Sequence, residues 1–462
     1  MRQALWWILA MALWLRGLPA HADLPRPQPP PSPPAAAGPA PELSLPDAAR
    51  LALARNPKIA AALARLEAAR EEAEVAASPA RPQITLTGFR DYQRTPQGPP
   101  VEVSLFGRTQ SFQSQPLTYQ SVRAQLELRQ LLFDGGRVAA RIAQARAVQG
   151  QAEQGLAAAW NGLYLEVQNA YLEALEARAL LEATRQSLEV ARQNLQMAEA
   201  QFRAGTAARA EVVFARVPVA QAELEVTRAE QRVATTSAAL NRVLGLPQDT
   251  LLQLVEPQDP GPVTRDLPTS IQEALAGRPE LLALRAEEEA ARRGVEAARR
   301  ESHPQLYAVG DVSGAGYQGQ VLPRSEGWRL ALELNWPLSQ GNRTTHEVAA
   351  AEARLREAQA RYQDESQAVE LQVREAYLAV GAAAQAYAAA EVEQERAREA
   401  LAMAQGQYRA GVGTFLQVDQ ARADLSRATA RRLSAFYDYQ RARARLAWAR
   451  GETPPVSPPA RQ

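Results

Sequence analysis

Apolar positions along this chain switch from a helical period to a strand period and back, and then the whole sequence of switches repeats. From Asp47, or Ser270 in the second copy, they recur at three- and four-residue spacing, which predicts a short helix. Pro57 or Pro279 interrupts it, since proline suits the first turn of a new helix but not an interior. The next helix runs to about Ser78 or Glu301 and stops before Pro82 or Pro304. The period then becomes two. In Val122-Arg123-Ala124-Gln125-Leu126-Glu127-Leu128-Arg129 and in Trp328-Arg329-Leu330-Ala331-Leu332-Glu333-Leu334-Asn335-Trp336, apolar side chains alternate with polar ones, which predicts strands with one apolar face. Weaker strands precede them at Gln83–Tyr92 and Gln305–Tyr317.

The helical period resumes after Asp134-Gly135-Gly136-Arg137 and after Gln340-Gly341-Asn342-Arg343. Each turn opens a helix without proline, from about Arg137 to Arg203 and from about Arg343 to Arg409, roughly 100 Å long at 1.5 Å per residue. Each ends at Ala-Gly, where glycine can take a left-handed cap. Return helices follow at about 207–244 and 413–450, roughly 57 Å each. Stacked on the helix of roughly 34 Å before the strands, a return helix nearly matches the long helix beside it. The rods are rich in Ala with Leu and Val interspersed, a composition that suits close coiled-coil packing. A soluble antiparallel coiled coil would share that pattern, but a β insert at the same end of both rods is foreign to it.

The duplication is literal in places. Gln201-Phe202-Arg203-Ala204-Gly205 returns as Gln407-Tyr408-Arg409-Ala410-Gly411, and an offset of about 206 aligns Leu126–Gly245 with Leu332–Gly451. The first copy carries about 16 extra residues between Gly88 and Gln120, which reads as a longer loop. The expected divisions are a signal peptide at 1–22, a Pro/Ala-rich leader at 23–44, a first repeat at 45–247, a connector at 248–268, a second repeat at 269–451 and a Pro-rich tail at 452–462. The signal rests on Arg2, the short apolar run Ala4 to Leu15 and the Ala20-His21-Ala22 cleavage pattern. No segment is apolar for the roughly 20 residues a spanning helix needs, so membrane residence would require a β-barrel. Trp328 and Trp336 bracket one apolar strand, as interfacial aromatics do in such barrels.

Composition removes several function classes. The charge is balanced, 52 basic against 51 acidic residues, which argues against a nucleic-acid partner. Without cysteine there is no disulfide, thiol catalysis, thiolate metal site or lipidated cysteine anchor. With only His21, His303 and His346, no catalytic triad or metal cluster assembles at useful spacing, and His346-Glu347 reads as a surface pair. The glycine-rich turns lack the Lys-Ser/Thr of a phosphate loop and read as helix starts. No enzyme, cofactor or metal is expected.

The opening Ala52-Leu53…Asn56-Pro57, the Pro82-Gln83 before the first strand, Leu132-Phe133-Asp134-Gly135-Gly136, the Ala-Gly tips and the duplicated layout together resemble the TolC-like outer-membrane efflux protein family. The resemblance implies a mainly α fold with a membrane β-barrel. Three chains would pool four strands each into one twelve-stranded barrel, above a trimeric α-barrel built from the helical hairpins. Four strands alone cannot close a useful bore, whereas three sets can. It implies a homotrimer in outer-membrane lipid, working with a periplasmic adaptor and an inner-membrane pump as a passive conduit for efflux or type I secretion. The alternative is a periplasmic coiled-coil adaptor, which would carry one hairpin and compact β domains.

At the second tip the family often carries acidic gate residues. The matching positions here are Gln417 and Gln420, with Asp419 between them and Glu211 in the first copy. Asp419 or Glu211 could replace the acidic ring, or the entrance could be neutral; Tyr408 matches an aromatic tip position that packs on the neighbouring coil or within its own core. The expected adaptor footprint is Arg203, Ala204, Gly205, Arg409, Ala410 and Gly411.

Overall fold

The computed structural model describes residues 42–452 except 97, 107, 113–116, 207, 257–264, 318–324 and 411. The signal, the leader up to residue 41, Gly411, the tail from 453, and parts of the connector and of the first loop therefore lie outside the described residues. A short strand β1 (Glu42–Leu43) leads into α1 (Leu45–Arg55) and α2 (Pro57–Ala77), followed by β2 (Gln83–Thr95), β3 (Val101–Leu105), β4 (Arg108–Phe112) and β5 (Leu117–Phe133). Then come α3 (Arg137–Arg203), α4 (Arg209–Leu244) and β6 (Gln253–Leu254). The second copy has α5 (Leu267–Gly277), α6 (Pro279–Arg299), β7 (Gln305–Tyr317), β8 (Ser325–Asn335), α7 (Arg343–Arg409) and α8 (Phe415–Ala449).

Both long helices fall where the proline-free periodicity places them, and their starts show why. Gly136 (φ 80°) and Asn342 (φ 64°) turn the chain in the left-handed region just before each helix. The Asp134 carboxylate accepts from the backbone N–H of Gly136 (2.8 Å) and of Val138 (2.6 Å), satisfying donors that a helix start leaves orphaned. The strands are longer than alternation indicated: β2 runs on to Thr95, and β5 begins at Leu117. The helices at the head of each copy begin earlier than Asp47 and Ser270, at Leu45 and Leu267, because proline occupies the first turn of each. The long first loop carries a hairpin of its own, β3 with β4, which alternation did not indicate.

The stacking expected from helix lengths is present. The end of α4 meets the start of α2 where Asn56 Nδ2 donates to the Val243 carbonyl at 2.7 Å. Asn56 Oδ1 also accepts from Lys58 N at 2.8 Å, so one side chain caps α2 and staples α4 to it. Gly245 closes α4 at φ 72°, and a Cβ there would lie 2.8 Å from the Arg55 carbonyl oxygen, so only glycine fits this junction. The second copy makes the same joint differently: buried Arg278 stacks over Trp448 at 4.5 Å and donates to Gln372 at 2.6 Å.

The main core lies beside the first junction, where Ile59, Trp160, Leu163, Val167, Tyr171, Leu240 and Leu244 pack together. Tyr437 of α8 enters the same cluster, so the second repeat completes the core of the first. The inter-repeat connector docks midway along α3: β6 pairs in parallel with β1, and the Tyr171 hydroxyl lies 2.7 Å from the Leu43 carbonyl and 2.5 Å from that of Val255.

Candidate functional site

Four strands form one antiparallel sheet in the order β2-β5-β7-β8. Its register sorts the side chains by chemistry. Ile84 faces Leu128, Leu86 faces Leu126, Leu126 faces Val312, and Val312 faces Trp328; Leu330, Leu332 and Leu334 continue that face along β8. Among the described residues nothing covers it: Leu86, Trp328, Leu330 and Leu332 are each more than 70% exposed. Such a large uncovered apolar face is foreign to a water-soluble sheet. Trp328 and Trp336 are both exposed, with Trp336 just past the end of β8. The eight residue steps from one to the other span about 27 Å along the strand, or about 20 Å after a typical barrel tilt, close to the apolar band of an outer-membrane barrel.

The opposite face is polar and internally paired. Arg329 Nε meets Asp311 at 2.7 Å, Arg129 meets Glu333 at 3.2 Å, and the Arg129 guanidinium lies 4.1 Å from the centre of the Tyr307 ring. Ser121 donates to Asp91, which also lies 3.6 Å from Arg123. Both edge strands, β2 and β8, have a strand neighbour on one side only among the described residues.

Below the sheet, strand order becomes helix order. Near the sheet the neighbours run α2-α3-α6-α7, and toward the far end α4-α3-α8-α7. At that far end the Tyr408 hydroxyl donates to Glu211 Oε2 at 3.4 Å, and the Tyr408 ring meets Phe415 edge-on at 6.2 Å. Partial burial, then the Glu211 carboxylate, pushes the Tyr408 phenol above its ordinary pKa, so it stays a neutral donor. The Tyr408 ring thus contacts its own repeat, and its hydroxyl reaches the first. Asp419 pairs with Arg422 at 2.7 Å. Gln417 folds back as a cap, its Oε1 accepting from Thr414 N at 2.8 Å while Thr414 Oγ1 accepts from Gln417 N at 3.4 Å. Gln420 is exposed. At the first tip Gly205 takes φ 75° and a Cβ there would meet open space; Arg203, Ala204, Arg409 and Ala410 are exposed.

Sequence reasoning missed Phe415, Thr414 and the Asp419–Arg422 pair, although Thr414-x-x-Gln417 is a legible capping signature. It also passed over Glu176, whose partners Ser434 and Arg441 lie about 260 residues away in sequence. In the His346-Glu347 pair, Glu347 bonds Arg343 at 2.7 Å and His346 is exposed. Among the described residues no group of His, Cys, Asp or Glu could hold a metal, and no helix is long and apolar enough to cross a membrane.

The family model for outer membrane efflux proteins matches this chain over residues 48–246 and again over 270–452. The chain belongs to the outer membrane efflux protein family. It is an outer-membrane efflux channel rather than a periplasmic adaptor, and its family is one of passive channels, not enzymes. No curated protein matches it by sequence. Among solved structures it is similar to a membrane protein from Pseudomonas aeruginosa, at 24% identity and TM-score 0.73, covering 88% of this chain and 93% of that one. It is also similar to the outer membrane protein VceC of Vibrio cholerae (21% identity, TM-score 0.71, 88% and 96% covered) and to the CmeC outer membrane channel of Campylobacter jejuni (17%, 0.72, 88% and 85%). At these identities the likeness concerns the fold.

Proposed function

We propose that three copies of the chain close a twelve-stranded barrel and form the outer-membrane conduit of a pump-driven efflux or type I secretion assembly. The observation that carries this reading is the exposed apolar face of the β2-β5-β7-β8 sheet, backed by a polar face and flanked by two edge strands. An apolar exterior suits lipid, a polar interior suits water, and edges β2 and β8 are satisfied when each pairs with the next copy. Energy comes from partners, since no nucleotide-binding loop is present in the sequence. The mature protein, extracted in mild detergent, is expected as a trimer found only in the outer-membrane fraction. A soluble periplasmic monomer would overturn the reading.

The hairpin ends are the periplasmic gate and the docking place of the adaptor. The Tyr408–Glu211 bond ties the end of α7 to the start of α4 and latches the two repeats. Arg203, Ala204, Gly205, Arg409, Ala410 and Gly411 form the footprint, of which Gly411 lies outside the described residues. Because a Cβ at Gly205 meets open space, Gly205→Val costs only the left-handed backbone penalty, about 1–2 kcal/mol. It is expected to leave the trimer in the membrane and reduce pump-dependent export at least tenfold. Normal export by that variant would remove the tip from the docking surface.

A further inference from the structure

The turns at the hairpin ends, residues 201–209 and 407–414, contain Arg203, Arg209 and Arg409 and no carboxylate. Residues 195–217 and 401–423, which cover the two tips, contain Arg203, Arg209, Arg216, Arg409 and Arg422 against Glu199, Glu211 and Asp419. Each carboxylate is already engaged: Glu199 lies 3.7 Å from Arg216, Glu211 accepts from Tyr408, and Asp419 pairs with Arg422. Arg203 spends its Nε on the Glu199 carbonyl, which leaves its charge uncompensated. Arg209 and Arg409 are exposed, and no ion pair among the described residues includes them. Helix dipoles do not offset the excess, because α3 and α7 end at the tips where α4 and α8 begin. Pairing between copies would change which groups meet, not the sum.

We infer that the periplasmic mouth of this channel is electropositive and passes anions in preference to cations, with Arg203, Arg209 and Arg409 setting the preference. This deepens the channel reading and rests on it. Three copies place about six excess positive charges around one opening, and within a Debye length of about 8 Å at physiological salt they repel cations and concentrate anions. The neutral Gln417 and Gln420 add no opposing field at the start of α8. The cargo class that fits is anionic or neutral, with multivalent cations disfavoured.

The test is the reversal potential of the purified trimer in planar bilayers under a tenfold KCl gradient, whose two ions have nearly equal mobility. Wild type is expected to reverse on the chloride side. The exposed triple variant Arg203→Gln/Arg209→Gln/Arg409→Gln, eluting as the same trimer, is expected to lose most of that preference. Conducting steps with potassium preference, or a triple variant that reverses like wild type, would overturn the inference while leaving the channel intact. Tyr408→Phe, which removes the latch without touching charge, serves as an opened form should wild type stay closed. Absence of steps from both would instead sink the channel reading.

Discussion

Leu332→Arg is expected to remove most of the protein from the outer membrane. Leu332 sits mid-strand in β8, faces Ala308 across the ladder, and is 71% exposed on the apolar side of the sheet. An arginine near the bilayer midplane of a barrel costs about 2–4 kcal/mol, and a trimer bears that cost three times. Glu333→Gln, the next residue along, is the control. It turns to the polar side, where Glu333 meets Arg129 at 3.2 Å, and a half-exposed pair of this kind contributes about 0–1 kcal/mol. Quantifying the trimer in the outer-membrane fraction for both variants separates the two faces. If Leu332→Arg accumulates like wild type while Glu333→Gln does not, the lipid and water faces have been assigned the wrong way round.

Arg441→Leu is expected to destabilise the helical body by about 3 kcal/mol. Glu176 is 2% exposed on α3, and Arg441 and Ser434 of α8 each contact its carboxylate at 2.8 Å, with Arg232 of α4 at 3.6 Å. Stripping one partner from a buried pair leaves a charge in a poorly solvating site, at a cost of about 3–5 kcal/mol, and the surviving Arg232 puts this case at the lower end. Replacing both members, Glu176→Leu with Arg441→Leu, is expected to recover most of the loss, because the desolvation penalty goes with the carboxylate. Chemical unfolding of the detergent-solubilised protein reads both. A loss below about 0.5 kcal/mol in the single variant, the size expected of the exposed Arg398–Glu395 pair, would remove Glu176 as a brace between the repeats.

Much of this architecture was legible because its signals are local and repeated. A helix of 67 residues needs no distant partner to be recognised, only an unbroken period between Gly136 and Ala204 or between Asn342 and Ala410. Alternation in β8 told that one face is apolar, since neighbouring side chains on a strand must point to opposite sides. Trp328 and Trp336, expected from the same reading to bracket the strand, are both exposed. Element ends were less legible, as at β5, whose first residues lie beyond the alternating stretch and are held by pairing with β2. The β3–β4 hairpin was missed because the extra residues of the first copy read simply as a longer loop, although Gly107 after Phe106 is a turn signal in the sequence.

The sequence by itself determined the duplicated plan, the lengths of the rods, the amphipathic strands, and the exclusion of thiol chemistry. These depend on spacing and residue type, which the chain carries whatever it packs against. Only the tertiary structure decided which polar residues at the tips are free to act. Gln417 is spent on a cap and Asp419 on Arg422, while Glu211 bonds Tyr408 of the other repeat, an interaction 197 residues apart in sequence. It also decided that the apolar faces of four separate strands join into one exposed surface. Side-chain partners and exposure are set by elements that meet in space, and no local period encodes that meeting.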